Sequence, residues 1–269
     1  MKLMKNQLLI CDLDGTLLDA NGKVDHDSLE KIKKFCEDGG HFVICTGRMD
    51  SDIQYVEQQL GFKGEFRISQ NGAVIKNAKE ETVFFESIPS EYIASLNQAI
   101  FGMNLRTEVS TLENRLFPSP RDPENVAEFI DTSIVIKNLP DYVLQHAGKA
   151  TIYLTFGTTN EFTTIKERIE KNLGKDKVGI VQTSPSSLEV FSAKVSKGNA
   201  VSFIMGKLAV SRKNVYVAGD AESDVSMFHL TDHAYAVREA HSDIIEQAGH
   251  YQKTVGHIVD EIYVNVKGV

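Results

Sequence analysis

Leu8–Cys11 carries no polar side chain, and acids follow it at once. So short and wholly apolar a run fits a strand covered on both faces, as in a parallel sheet between helical layers. Leu29, Ile32 and Phe35–Cys36 then recur at helical spacing, and Gly39–Gly40 supplies a stop. His41–Cys45 reads as a second buried strand. Ile53, Val56 and Leu60 mark a second helix ended by Gly61, and Phe66–Ser69 reads as a third strand. The β-α-β-α-β order predicts an α/β fold with a doubly wound parallel sheet.

The rhythm changes after that. Ala73–Lys76 and Thr82–Glu86 flank a polar Asn77–Glu81 turn and read as a hairpin. Beyond it, predicted helices (Tyr92–Ile100, Glu124–Ile130, Glu161–Asn172) mix with predicted strands (Thr151–Phe156, Val178–Gln182). Doubly wound character returns with a helix over Ser196–Leu208, a buried strand over Val215–Ala218, a helix over Asp224–His229, a strand over Ala234–Val237 and a helix over Ile258–Val264. The expected organisation is a Rossmann-like core, residues 1–79 and 189–269, interrupted by an α+β insertion, residues 80–188.

Composition sets the outer bounds. The 269 residues are 42% hydrophobic and 25% charged, which suits globular domains with real cores. A net charge of -8 with dispersed Lys and Arg argues against a nucleic-acid surface. No apolar stretch is long enough to span a membrane. The N-terminal residues read as a first strand and not as a signal peptide. Cys11, Cys36 and Cys45 form no C-x-x-C pair and read as reduced thiols. The expected address is the cytoplasm.

Four motifs carry the chemistry. The first is Asp12-Leu13-Asp14-Gly15-Thr16, directly after the first strand, where open parallel sheets bind ligands. Two carboxylates so close repel unless a cation neutralises them, and oxygen ligands near a phosphate suit Mg²⁺. The second is Thr46-Gly47-Arg48 after the second strand, a hydroxyl and a bare amide able to cradle a phosphate oxygen. The third is Lys197-Gly198, at the start of a helix capped by Ser196. A cation there opposes the helix dipole and calls for compensation, which a phosphate would supply. The fourth is Gly219-Asp220-Ala221-Glu222-Ser223-Asp224, which sets one acid at a strand tip and another at a helix start. Each motif taken singly also has a plainer reading, as a turn, a solvated lysine or a helix-start acid.

Together, D-x-D, T-G-R, K-G and G-D-x-x-x-D in that order resemble the haloacid dehalogenase-like superfamily. The insertion after the Asn71-Gly72-Ala73 segment resembles its Cof-type branch, subfamily IIB, with an α+β cap. The resemblance implies a phosphatase in which Asp12 attacks phosphorus to form an aspartyl-phosphate. Asp14 would act as general acid and then base. It implies Mg²⁺ held by Asp12, Asp14 through its backbone carbonyl, and Asp220, with Asp224 orienting metal-bound water. Thr46, Gly47 and Lys197 would hold the phosphoryl oxygens. Arg48, Asn71 and Ser223 are further candidates for substrate contact, although Ser223 stands where the family often has Asn. The cap would choose a small phosphorylated metabolite, such as a sugar phosphate. A sugar phosphomutase is the nearest alternative, and a phospho-signalling receiver a more distant one. Arg106 and Arg115 in the insertion could meet a substrate anion. The sequence leaves the substrate and the oligomeric state open.

Overall fold

The computed structural model describes residues 3–122, 126 and 128–268. In chain order they form β1 (Leu8–Cys11), α1 (His26–Glu37), β2 (His41–Cys45), α2 (Asp50–Leu60), β3 (Phe66–Ser69), β4 (Val74–Asn77), β5 (Thr82–Phe85), α3 (Ile93–Ile100), β6 (Thr107–Ser110), β7 (Arg115–Phe117) and β8 (Ser133–Val135). These are followed by α4 (Leu139–Gln145), β9 (Ile152–Phe156), α5 (Thr159–Leu173), β10 (Val178–Ser184), β11 (Ser187–Ser192), α6 (Lys197–Leu208), β12 (Val215–Gly219), α7 (Val225–Phe228), β13 (His233–Val237), α8 (Ser242–Ala248), β14 (Gly249–Gln252) and α9 (Val255–Lys267). The chain divides into two units, Met1–Phe84 with Ser196–Val269, and Phe85–Val195. Among the described residues no helix is long and apolar enough to cross a membrane.

The first unit holds an eight-stranded sheet in the order β14-β13-β12-β1-β2-β3-β4-β5. From β14 through β3 every neighbouring pair is parallel, and β4 turns back antiparallel on β3. All four residues of β1 are buried, which only a sheet covered on both faces allows. On one face Leu8, Ile10, Val43, Val215 and Val217 pack with Val201 and Ile204 of α6. On the other side of the chain α1 is capped by Asp25, which accepts from the Ser28 amide at 2.9 Å. The Ser28 hydroxyl in turn accepts from Gly256 N at 2.9 Å, joining α1 to α9. The parallel order matters for function because it places the carboxyl ends of β12, β1 and β2 side by side.

The second unit holds a six-stranded sheet in the order β10-β11-β9-β6-β7-β8, antiparallel except between β7 and β8. Tyr153, Val109 and Val190 of this sheet share an apolar cluster with Ile93 and Leu96 of α3, Val143 of α4, and Phe162 and Ile165 of α5.

The unit boundaries lie beyond the expected positions near 80 and 188. The hairpin with its Asn77–Glu81 turn is present, with Asn77 N bonded to Glu81 O at 3.0 Å. Its second strand, β5, ends the eight-stranded sheet. Position 188 lies inside β11, which pairs along its length with β9 and β10. The expected helix over Glu124–Ile130 falls partly outside the described residues. Of those described there, Val126 and Glu128–Ile130 are not helical.

Arg67 on β3 is fully buried and donates to Asp50 Oδ1 at 2.7 Å and Oδ2 at 3.1 Å. Glu57 lies 3.4 Å from the same guanidinium, and Glu80 completes the ring of acids. Removing one member of such a buried group strands the other charges. Arg67→Met is therefore expected to cost about 3–5 kcal/mol in denaturant unfolding, read from the midpoint at unchanged slope. A loss within about 0.5 kcal/mol, as for an ordinary surface change, would contradict that account.

Candidate active site

Asp12, Thr46 and Asp220 are the residues that follow β1, β2 and β12. Since β1 sits between the other two in register (Cys11 opposite Ile44 and Ala218), these tips are neighbours. Asp12 N donates to Ala218 O at 2.9 Å and Thr46 N to Ile68 O at 2.9 Å, so the ladder fixes both backbones.

The first turn of α6 brings a cation to this edge. A Cβ at Gly198 would lie 2.3 Å from Ser226 O, so only glycine lets α6 start against that turn. The Gly198 amide donates to Ser226 Oγ at 3.0 Å. Lys197 beside it is 3% exposed, and its Nζ donates to Asp12 Oδ1 at 2.6 Å and Asp224 Oδ1 at 2.7 Å. The anions that offset a lysine at a helix N-terminus are thus two carboxylates of the protein itself. The second oxygen of Asp224 accepts from the amides of Asp220 and Ala221 at 3.0 and 3.1 Å, which closes the loop between β12 and α7. Asp220 Oδ1 accepts from the buried Thr16 hydroxyl at 2.7 Å. Gly15 adopts φ +72°, and a Cβ there would come 2.4 Å from Asp220 Oδ2.

Carboxylate oxygens of Asp12, Asp220 and Asp224 all lie within 4.8 Å of one another. Three acids against the one ammonium of Lys197 leave an excess of negative charge in a buried place. Burial pushes the Asp12 carboxyl up from 3.8 to about 7; Lys197 opposes the rise and Asp224 adds to it. Burial also raises Asp220, against the Thr16 hydrogen bond and with Asp224 adding to the rise. Burial alone would lower Lys197, but Asp12 and Asp224 beside it carry it above the ordinary lysine value. An all-oxygen donor set with surplus negative charge fits a hard divalent cation such as Mg²⁺.

Asp14 lies apart from that cluster. Its side chain is 53% exposed and is gripped bidentately by Arg48, Nε to Oδ2 at 2.6 Å and a terminal nitrogen to Oδ1 at 2.9 Å. The other terminal nitrogen of Arg48 reaches Asp52 at 2.9 Å. Arg48, expected as a substrate contact, is in this structure the partner of Asp14. Its amide donates to Thr46 Oγ1 at 3.2 Å. The segment after β3 folds back on the same turn, with Asn71 N bonded to Thr46 O at 2.9 Å. Asn71 holds φ 56°, a conformation Asn tolerates better than most residues. A Cβ at Gly47 would lie 3.0 Å from Asn71 Oδ1, so these two are also adjacent. Ser223 is exposed, and its carbonyl accepts from Ser226 Oγ at 3.4 Å.

The sequence reading passed over two contacts, Thr16 with Asp220 and Arg48 with Asp14. A signal existed for the first: Thr16 precedes the buried Leu17 and Leu18, and a hydroxyl carried into a core needs an acceptor. For the second, only Asp52 four residues on hinted that Arg48 keeps acidic company.

A profile of the haloacid dehalogenase-like hydrolase family matches residues 9–256. The 5-amino-6-(5-phospho-D-ribitylamino)uracil phosphatase YwtE of Bacillus subtilis is 21% identical, over 93% of this chain and 96% of its own. A crystal structure from Thermotoga maritima superposes with a TM-score of 0.81 at 23% identity, covering 98% of this chain and 97% of the other. A sugar phosphatase of subclass IIB has the same fold, with a TM-score of 0.76 at 15% identity over 97% and 98% of the two chains.

The raised Asp12 carboxyl makes the metal-free protein sensitive to pH. The folded state keeps a proton there that the unfolded chain releases, so this contribution to stability is full below 3.8 and lost as pH climbs through about 7. In chelator, the wild-type melting temperature is expected to fall across that window, and Asp12→Asn to remove part of the fall. Asp12→Asn should then be the more stable protein above pH 7. Parallel melting curves for the two proteins across the window would refute this assignment.

Proposed function

The chain belongs to the haloacid dehalogenase-like hydrolase family, and from that premise we propose that it is a magnesium-dependent phosphatase working through an aspartyl-phosphate on Asp12. The observation that carries the reading is the contact network itself: Lys197 ties Asp12 to Asp224 while Asp220 lies in the same cluster of oxygens. Asp12, the Asp14 carbonyl and Asp220 would hold Mg²⁺, with Asp224 behind them to orient metal-bound water, and the ion when bound supplies positive charge against the phosphoryl oxygens.

In the first step a carboxylate oxygen of Asp12 attacks phosphorus, and the bond from phosphorus to the leaving oxygen breaks. Asp14 delivers a proton to that oxygen and releases an alcohol. In the second step Asp14 takes a proton from water, which attacks the phosphoryl group and restores Asp12. The exposure of Asp14 suits a group that must trade protons with solvent and substrate; Arg48 occupies both of its oxygens and has to release one before Asp14 can carry a proton. Lys197, Thr46 and Gly47 steady the phosphoryl oxygens as charge redistributes. Asn71 and Ser223 are assigned to substrate contact, Arg48 to holding Asp14, and the inserted unit, Phe85–Val195, to the choice of leaving group. The substrate class is a small phosphorylated metabolite, a sugar phosphate or similar monoester, in keeping with the sugar phosphatase of like fold and the ribityl phosphate named for YwtE. A cytoplasmic address belongs to the same reading, and the free thiols of Cys11, Cys36 and Cys45 support it.

Purified protein with Mg²⁺ is expected to release phosphate from at least one compound in a panel of sugar phosphates, nucleotides, pyridoxal phosphate, flavin mononucleotide and phosphoglycolate. Asp12→Asn should abolish that release, and turnover persisting in Asp12→Asn, with deamidation excluded by mass spectrometry, would remove Asp12 as nucleophile. Asp14→Asn should slow turnover about 10²–10⁴-fold on alkyl phosphates. The loss should be smaller on p-nitrophenyl phosphate, whose leaving group needs less protonation. Equal losses on both substrates would take the acid role from Asp14.

A further inference from the structure

Arg238 follows β13, the strand that pairs with β12 and whose Ala236 stands opposite Gly219. It therefore lies one strand away from Asp220. Its backbone holds φ 52°, a region that suits glycine and burdens a long side chain. The surroundings hold it there. Its carbonyl accepts from Tyr251 Oη at 3.0 Å. Its guanidinium, on a side chain 19% exposed, donates through Nε to Thr16 O at 2.8 Å and through a terminal nitrogen to Asp25 Oδ2 at 3.3 Å. Arg238 thus pins both ends of the loop that carries the chain from Asp14 to α1. Thr16 passes the restraint on, since its hydroxyl is the donor to Asp220 Oδ1.

We infer that Arg238 is a positioning residue for the Mg²⁺ ligand Asp220, acting through Thr16. It holds the Thr16 backbone so that the Thr16 hydroxyl occupies Oδ1 of Asp220 and turns the carboxylate toward the cluster. The inference rests on the metal assignment of the preceding section and adds to it a residue outside the four motifs. Strain at Arg238 is what a position under such a demand would carry: glycine would suit the backbone better but has no guanidinium.

A positioning role and a plain charge effect have opposite signs. Arg238 is a cation near an acidic cluster, so if its charge alone mattered, removing it would tighten cation binding. If it orients Asp220, removing it loosens binding, and groups behind a metal ligand typically contribute about 10–100-fold in affinity. The test is calorimetric titration of chelator-stripped protein with Mg²⁺ alone. Arg238→Gly relieves the backbone and should stay folded, as judged by circular dichroism and melting in chelator. It is expected to bind Mg²⁺ about ten-fold or more weakly, with Arg238→Lys recovering part of the loss. Thr16→Val should weaken binding similarly, and adding Arg238→Gly to it should cost little more, because both act on one path. Unchanged or tighter Mg²⁺ binding by Arg238→Gly, or fully additive losses in the double variant, would overturn the positioning role. A wild-type protein that binds no Mg²⁺ would instead overturn the metal assignment on which it rests.

Discussion

Repulsion among closely set, largely buried carboxylates organises the edge of the first unit where β12, β1 and β2 end. Asp12, Asp220 and Asp224 come from two strand ends and a helix start, and each would be better solvated almost anywhere else. Lys197 makes the arrangement possible because its ammonium bonds Asp12 and Asp224 together. The structures around it follow from the need to deliver that ammonium. Gly198 lets α6 begin against Ser226, and Asp224 spends its other oxygen on the amides of Asp220 and Ala221. The remaining excess of negative charge is the kind of imbalance a cation or a phosphoryl group resolves on binding. The same electrostatics that make the metal-free site costly make it receptive.

Much of the first unit was legible because its signals are local. Leu8–Cys11, His41–Cys45 and Phe66–Ser69 form the strands their apolar character indicates, and α1 and α2 follow the spacing of Ile32, Phe35, Ile53 and Val56. The second unit was harder. β6 carries Glu108, buried at 3% exposure and bonded to Arg106, so its sequence lacks the apolar run that marks a covered strand. β8 leaves Ile134 and Val135 exposed, and only its parallel pairing with β7 makes it a strand. Boundaries erred for a similar reason. Whether β5 belongs to one sheet or the other depends on which neighbour it bonds, and composition does not record that.

In the candidate site, residue identities were legible but partnerships were not. That Asp12, Lys197, Asp220 and Asp224 converge follows from motifs at strand ends of one parallel sheet. That Arg48 grips Asp14, Thr16 serves Asp220 and Arg238 holds Thr16 follows from side-chain reach across segments up to 222 residues apart. Spacing along the chain carries no trace of such contacts. The strained φ at Arg238 was likewise invisible, because nothing local demands it.

The division of the chain also orders events in time. The second unit is one continuous stretch, Phe85–Val195, whereas the first is assembled from the segments on either side of it. β1 sits between β2, which the ribosome makes directly after it, and β12, which it makes only after the inserted unit. During synthesis from the amino terminus, Asp12 emerges long before Lys197, Asp220 or Asp224 exists. The inserted unit can close its own sheet meanwhile, as domains generally fold as units. The half-sheet made of β1 to β5 must wait with one flank of β1 unpaired, an open edge that invites strand addition from another chain. The setting of Asp12 is then coupled to completion of the sheet: a truncated chain lacking α6 and β12 has Asp12 without Lys197, Asp220 or Asp224.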